Sequence, residues 1–340
     1  MAQDAIIQDS SGRPVFTHDA PLPTLLPSSI LIAVGAVALN PSDYKMGGSF
    51  PKEGAIIGND FAGKIVEIGH QARELRPDLH IGDRVCGMVH GSNPGDPGNG
   101  AFAEYVRANA QLVIKVPNSM KLSQASTLGV ALATNCLALW ESLNIPATPA
   151  QPSSEQFDVC GGRVIATCSP KNFPLVKTYG ADSTFDYTDR STPEKIRALT
   201  GNRLRYALDC ITDEDSVACC YTALGRTGAR YTCLEQCRDE LKTRKAVKFE
   251  FLMSLEVFGD PVQLEGGYRR DSNPTRHNAA VVWFREFQRL VDEGKLRTHP
   301  IEVLEGGLSS VIGGLQRLQT ASVSGTKLVA LIPNQVDGKE

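Results

Sequence analysis

ArgValIleAlaThrCysSer (163–169), AsnPheProLeuValLysThrTyrGlyAla (172–181), ThrPheAspTyr (184–187), ThrProGluLysIleArgAlaLeuThr (192–200) and ArgTyrAlaLeuAspCysIle (205–211) follow one another and alternate in kind. The first, third and fifth are short β-branched and aromatic runs that read as strands. The second and fourth read as helices, the second closed by Gly180. A helix at 215–224 and a strand, ArgTyrThrCysLeu (230–234), extend the series. Alternation of this kind builds a parallel sheet of βαβ units, which takes nucleotides at the carboxyl ends of its strands.

Upstream the grammar is different. SerIleLeuIleAlaValGlyAlaValAlaLeu (29–39), GlyLysIleValGluIleGly (63–69) and AlaPheAlaGluTyrVal (101–106) are strands by length and alternation. The GlyAsp at 82–83 and the Gly/Pro-rich 92–100 are a turn and a loop. An all-β, barrel-like module fits residues 1–125. Residues 122–143 read as one or two helices, and a Pro/Ser-rich connector (144–156) leads into the alternating part. An amphipathic helix over 279–295, with Val281, Val282, Phe284, Phe287, Leu290 and Val291 on one stripe, and a strand over 327–333 complete the chain.

At about 100–200 residues per domain, 340 residues suggest two domains. Lys and Arg number 35 against 38 Asp and Glu, a net charge of −3 with no basic run. That balance argues against nucleic acid or an acidic membrane as partner. The longest apolar run, 30–39, is shorter than the ~20 residues that span a bilayer, and the start MAQDAIIQDS lacks a secretory signal pattern. Nine cysteines at irregular spacing read as reduced thiols of a cytoplasmic protein rather than a disulfide framework. Cys233 and Cys237 approach metal spacing without a second pair, and the six histidines form no HxH or HxxxH pair, so no metal site is expected.

The end of the strand at 163–169 decides cofactor choice. An acid there favours NAD, whereas small polar or basic groups accommodate a 2′-phosphate. This chain has Ser169, Pro170, Lys171 and Asn172, which suit the phosphate or serve simply as a helix start.

AsnProSerAspTyrLys (40–45), GlyAsnAspPheAlaGly (58–63), ValGluIleGly (66–69) and GlyAspArgVal (82–85), in this order, resemble the catalytic domain of the medium-chain dehydrogenase/reductase superfamily. Together with ArgValIleAlaThrCysSerProLysAsnPhe (163–173), LeuArgTyrAlaLeuAspCysIleThr (204–212) and SerGlyThrLysLeuVal (324–329), they are similar to the trans-acting enoyl reductases that partner fungal polyketide synthases and their hybrids with peptide synthetases. The resemblance implies a GroES-like β-barrel domain over 1–125, a Rossmann-type domain over 126–280, and a segment, 281–340, returning to the first. It also implies NADPH as hydride source, an acyl carrier domain of a synthase as partner, and a monomer. The zinc-dependent branch has Cys near 41–43 and GlyHisGlu at 58–60; neither ligand is present here.

By matching position, the resemblance assigns Pro41, Ser42, Asp43, Tyr44, Ser169, Pro170, Lys171, Asn172, Tyr187, Leu234, Glu235, Ser324 and Gly325 to the cofactor. It assigns Thr134, Asn135, Cys136, Leu137, Ala138, Leu139, Trp140 and Glu141, with Leu255, Glu256, Val257, Phe258 and Gly259, to the acyl pocket. Gly129, Ala131, Ala133 and Thr134 are small enough to leave that pocket wide. By chemistry, Lys45 and Tyr44 are the candidates for proton delivery, against the plain alternatives of a surface lysine on a loop and a packed ring.

One part of the pattern is missing. The family's first strand, Gly-rich turn and helix set backbone N–H groups against the cofactor pyrophosphate. Here only GluGlnPheAspValCysGlyGly (155–162) stands before the strand at 163, and Pro146, Pro149 and Pro152 exclude a helix or central strand upstream. A strand and crossover need about 25–30 residues more. The expected consequences are unpaired neighbouring strands and an uncovered apolar face. An incomplete gene model, favoured by the intact flanking motifs, competes with a natural inactive variant and with a rebuilt working site. The functional alternatives are accordingly a zinc-free quinone-reductase-like enzyme on free small molecules and an inactive scaffold.

Overall fold

The structure, a computed structural model, describes residues 2–151 and 163–333. It divides into two compact units, Met1–Ala133 with Leu255–Glu340, and Thr134–Ser254. The expected domain boundaries were 125/126 and 280/281. The return to the first unit begins 26 residues earlier than expected because the stretch from Leu255, Val257 and Val262 onward is buried there.

The first unit is built around β3 (Ser29–Ala38), whose unbroken apolar run is buried on both faces. Its neighbour on one side is β4 (Asp60–Ile68). On the other side β6 (Tyr105–Asn109) pairs with Ser29–Ala33 and the last strand pairs with Ala36–Ala38. β5 (Arg84–Met88) and β7 (Val113–Lys115) extend the sheet beyond β4. A hairpin of β1 (Ala2–Gln8) and β2 (Pro14–Pro21) was not legible in the sequence, and the strand expected at 101–106 lies four residues later. Ile30, Ile32, Val34, Val37, Phe61, Ile65, Val85 and Val106 form the core.

Lys45, whose plain alternative was a surface lysine on a loop, lies in a helix, α1 (Pro41–Ser49), started by a proline at its first position. Two short helices follow, α2 (His70–Leu75) and α3 (Leu122–Ala125), then α4 (Gly129–Asn135), which runs into a π-helical turn, Cys136–Ser142. By length and apolarity Leu122–Ser142 would suffice to cross a bilayer, yet it is mostly buried in the protein.

The second unit carries the alternating segments. β8 (Ile165–Cys168) and β9 (Ser183–Asp186) form a parallel pair. β10 (Tyr206–Asp209), β11 (Arg230–Cys233) and β12 (Lys248–Phe251) form a separate parallel trio. Among the described residues no strand joins β8 to β10. The helices between them are α5 (Phe173–Thr178), α6 (Thr192–Leu199) and α7 (Glu214–Ala223). Val217, Tyr221, Leu224 and Tyr231 are buried around the trio, whereas α5 buries none of its residues and no β8 or β9 side chain is fully buried. Apolar cover around β8 and β9 is therefore thin among the described residues. GluGlnPheAspValCysGlyGly (155–162) and Pro152 lie outside the described residues.

The chain closes in the first unit with α8 (Pro274–Asp292), β13 (Ile301–Leu304), α9 (Ser310–Gln319) and β14 (Lys327–Leu331). Helix α8 begins five residues before the expected start, where the Asn273 side chain accepts from Arg276 N–H. Its buried face is Ala280, Val281, Phe284, Phe287 and Val291, while Val282 of the expected stripe is 64% exposed. Parallel β13 and β14 bring β14 antiparallel to β3, so the C-terminal strand reaches the end of β3 that leads into α1.

Gly129 serves close packing rather than pocket width. A Cβ there would lie 2.1 Å from the Gly87 carbonyl oxygen and 2.7 Å from a carboxylate oxygen of Asp60. Gly313, on the exposed side of α9, has nothing within 4 Å of such a Cβ. Denaturant unfolding should therefore show Gly129→Ala destabilised by roughly 1–3 kcal/mol and Gly313→Ala stabilised by about 0.4–1 kcal/mol. Equal effects at the two sites would refute this packing account.

Candidate cofactor and substrate site

The centre of the first unit's polar cluster is Asp60, at the start of β4 and fully buried. One carboxylate oxygen accepts from Val130 N–H at the start of α4 (2.6 Å). The other accepts from the Asn40 amide (2.9 Å) and from Lys327 Nζ (2.9 Å). Lys327 Nζ also donates to Asn40 Oδ1 at 2.5 Å. Asn40 precedes α1, and its backbone N–H donates to Asp43 Oδ2 (2.7 Å). Asn59 completes the cluster: its amide donates to Asp43 Oδ1 (2.7 Å) and Ser42 Oγ (3.3 Å), while its carbonyl accepts from Gly91 N–H (3.0 Å).

Burial pushes the Asp43 carboxyl up to about 7, and the neighbouring Asp60 adds to the rise; the Asn40 N–H, Lys327 and Asn59 oppose it. The expected cofactor residues 41–44 thus sit on the first helical turn, held from below by this cluster. Ser324 and Gly325 precede β14, whose Lys327 reaches Asn40 and whose Leu328 O accepts from Leu39 N–H (2.9 Å). Tyr44 is half-buried with its ring packed on the barrel core, and Lys45 is exposed on α1. Asn40, Asn59, Asp60 and Lys327 were not singled out from the sequence, although all lie within the quoted family segments.

In the second unit, parallel register sets the expected nucleotide residues at the carboxyl ends of strands. Cys168 pairs with Asp186, so Ser169 and Tyr187 leave adjacent strands at the same edge. Pro170–Asn172 make a 3-10 turn closed by Asn172 N–H to Ser169 O (2.9 Å), with Pro170 and Lys171 exposed and Tyr187 62% exposed. Asp209 pairs with Cys233, so Leu234 and Glu235 follow at the edge of the trio. Asp209, also unforeseen, is buried there. Its oxygens accept from Tyr231 OH (2.8 Å), Ser216 Oγ (2.8 Å) and the N–H groups of Ile211 and Thr212 (2.9 Å each). Side chains at this edge suit the adenosine end of a dinucleotide; the pyrophosphate-side segment lies outside the described residues.

The expected acyl residues are placed unevenly. Cys136, Leu137 and Ala138 are buried, and burial pushes the Cys136 thiol up to about 12. Leu139 and Trp140 pack with Ile145, Tyr206 and Leu208, and Trp140 Nε1 donates to Ala147 O (2.9 Å). That leaves Thr134 half-buried and Asn135 and Glu141 exposed. In the first unit, Leu255, Glu256 and Val257 are buried and Phe258 is half-buried. Glu256 pairs with Arg276, and the positive φ of Gly259 (75°) turns the chain toward α8. Among the described residues no three His, Cys, Asp or Glu side chains are grouped to hold a metal ion, and eight cysteines are free thiols.

A GroES-like barrel with an Asp–Asn–Lys cluster, followed by parallel-sheet units, defines a medium-chain dehydrogenase/reductase. Residues 26–118 match the alcohol dehydrogenase GroES-like domain. The chain is 40% identical to trans-enoyl reductase poxP of Penicillium oxalicum over 98% of this chain and 94% of that protein. It is 42% identical to trans-enoyl reductase phmE of Phaeosphaeria nodorum over 96% and 94%. Its fold is that of the CurK enoyl reductase crystal structure, with a TM-score of 0.71, 17% identity and 98% and 99% of the two chains covered. This chain belongs to the trans-enoyl reductases, oxidoreductases that use a nicotinamide cofactor. The alignment with phmE spans 96% of the 340 residues in 328 positions, so within it that relative carries no more than a few residues that this chain lacks. The alignment with poxP instead spans 354 positions for 98% of this chain, so within it that relative carries about twenty residues that this chain lacks.

Two predictions follow from the cluster. Lys327→Met leaves the Asp60 carboxylate buried without its cation, and chemical denaturation should record a loss of roughly 3–5 kcal/mol; a loss within experimental error would show that the pair contributes nothing. Because the Asp43 carboxyl is raised when folded, the unfolded chain ionises first, and stability falls as pH rises from about 4 to about 7. Asp43→Asn removes that titration, so the stability of wild type minus that of the variant should decrease over the same interval. A difference independent of pH would contradict the raised carboxyl.

Proposed function

We propose that this protein saturates the carbon–carbon double bond of an α,β-unsaturated polyketide thioester presented by the acyl carrier domain of a partner synthase. What carries this reading is the likeness, at about 40% identity over nearly the whole chain, to several trans-enoyl reductases. The end of β8 supports NADPH as the cofactor. No acid stands there to repel a 2′-phosphate, Lys171 is an exposed cation, and Ser169 offers a hydroxyl.

When bound, NADPH supplies the hydride that is delivered to the β-carbon. Pro41, Ser42, Asp43 and Tyr44, with Ser324 and Gly325, hold the nicotinamide end, and the Asp60–Lys327 pair keeps that helical turn in place. Ser169, Pro170, Lys171 and Asn172 hold the adenosine phosphate, flanked by Tyr187, Leu234 and Glu235. Thr134, Asn135 and Glu141, whose side chains are not consumed in the core, meet the acyl group together with Phe258. Lys45 delivers a proton to the α-carbon; Tyr44, with its ring packed, keeps α1 seated. The protein acts as a monomer in the cytoplasm.

Fluorescence titration of NADPH against NADH, followed by an enoyl-thioester assay, tests the reading. Micromolar NADPH binding and NADPH-dependent saturation are expected, and Lys171→Ala should lower the NADPH-over-NADH preference roughly tenfold, the value of one charge-assisted contact. A folded protein that binds the synthase but no NADPH would be a scaffold. Turnover of free quinones with no activity on enoyl thioesters would favour the small-molecule alternative.

A further inference from the structure

A cavity of about 190 Å³ lies within the first unit, lined by Leu26, Val89, His90, Leu255, Phe258 and Val262 among others. At the ~30 Å³ that a liquid water occupies, it has room for roughly six non-hydrogen atoms. Its polar lining is nearly all satisfied from within the protein. Arg107 pairs with Asp96 and donates to Thr24 O (2.9 Å). Asn99 exchanges two hydrogen bonds with the Arg107 backbone (3.0 and 3.1 Å), and the Asn109 side chain accepts from Gln111 N–H (2.9 Å).

His90 is different. Its Nε2 is closed off from solvent and meets no hydrogen-bond partner among the described residues. Burial pushes the imidazole down to about 4, so the ring is neutral at physiological pH, with one nitrogen able to donate and the other to accept. The ring itself lines the cavity, and the broad χ2 torsion of histidine allows that nitrogen to turn toward an occupant. A neutral imidazole, with Asp96 and Asp260 also on the lining, does not suit an anion. The occupant that fits is an apolar chain end bearing a neutral oxygen.

We propose that this cavity receives the oxygen-bearing end of the acyl chain, and that His90 selects chains carrying a hydroxyl or carbonyl there by hydrogen-bonding it. The proposal rests on the enoyl reductase reading and adds to it the class of chain preferred. Leu255 and Phe258, both expected at the acyl group, line this cavity.

The test compares three pantetheine thioesters: a short but-2-enoyl, a long enoyl ending in a hydroxyl, and its methyl isostere. Wild type should favour the hydroxylated chain over the isostere in kcat/KM by roughly tenfold, the effect of one buried hydrogen bond. His90→Phe should bring that ratio to about one; because the ratio is taken within one enzyme, a general loss of folding cancels. Leu26→Trp, at an exposed position on the rim, should lower kcat/KM for both long chains relative to the short one. An unchanged ratio in His90→Phe, or unchanged selection by length in Leu26→Trp, overturns the proposal. If wild type reduces none of the three, the enoyl reductase reading fails, and the same ratio read by calorimetric binding of the two long chains decides the cavity.

Discussion

Asp60 is the residue through which four elements of the first unit are tied together. Its carboxylate joins β4 to the approach to α1 through Asn40, to β14 through Lys327, and to the start of α4 through Val130 N–H. A fully buried carboxylate is expensive to desolvate, and it is tolerated only where donors and a cation surround it. Both of its oxygens are so engaged. The requirement acts as a constraint on assembly: β14 comes from the end of the chain, 267 positions after Asp60, and must be seated before the charge is compensated. The same seating brings the start of β14 to Asn40, the residue before the turn that carries Ser42 and Asp43. Positions far apart in sequence become one surface because one charge has to be satisfied.

Among the described residues, the parallel strands of the second unit fall into two separate groups. β8–β9 and β10–β11–β12 each keep their register, and each still presents its loop residues at the carboxyl ends of its strands. The trio is the better supported of the two. Tyr231 is buried between Tyr221 and Phe249, and its hydroxyl is fixed on Asp209, which also holds the backbone of the following turn. The hydroxyl of Tyr231 is held strongly protonated by burial and by the adjacent Asp209, so it remains a donor to that carboxylate. Around the β8–β9 pair the apolar cover is thin, and Ile165 and Phe185 supply what packing there is toward the trio's cluster. Local strand pairing in both groups therefore holds with no strand joining them among the described residues.

Much of this was legible in the residues. The continuous apolar run at 29–39 could only be a strand buried on both faces, and the alternation from 163 to 234 could only be a parallel layer. Edges of elements and long-range polar partners were not legible. The helix over 41–49 was not legible, since Pro41, Gly47, Gly48 and Ser49 are poor helix formers; Asn40, Asp43 and Asn59 bind its first turn. Lys327 reads in sequence as the polar start of a strand, and only β14 lying against Ala36–Ala38 reveals it as a counter-ion. Val282 joined the apolar stripe by spacing, yet α8 meets β7 through Gln288, which bonds both backbone groups of Lys115 and rotates Val282 outward.

The cluster also bears on how the reaction is divided between protein and cofactor. In the zinc-dependent branch the corresponding positions carry ligands whose lone pairs are open to a metal. Here the acceptors are occupied by protein donors: Asp60 by Val130 N–H, Asn40 and Lys327, and Asp43 by Asn40 N–H and Asn59. A carboxylate saturated with N–H donors holds geometry well and polarises a substrate poorly. Reduction of a conjugated thioester fits such a site, since its β-carbon is already electrophilic and asks for a hydride donor and a proton rather than a Lewis acid. The polar groups beneath α1 thus act on position, which leaves selection among acyl chains to other parts of the protein, such as the cavity that holds the His90 ring.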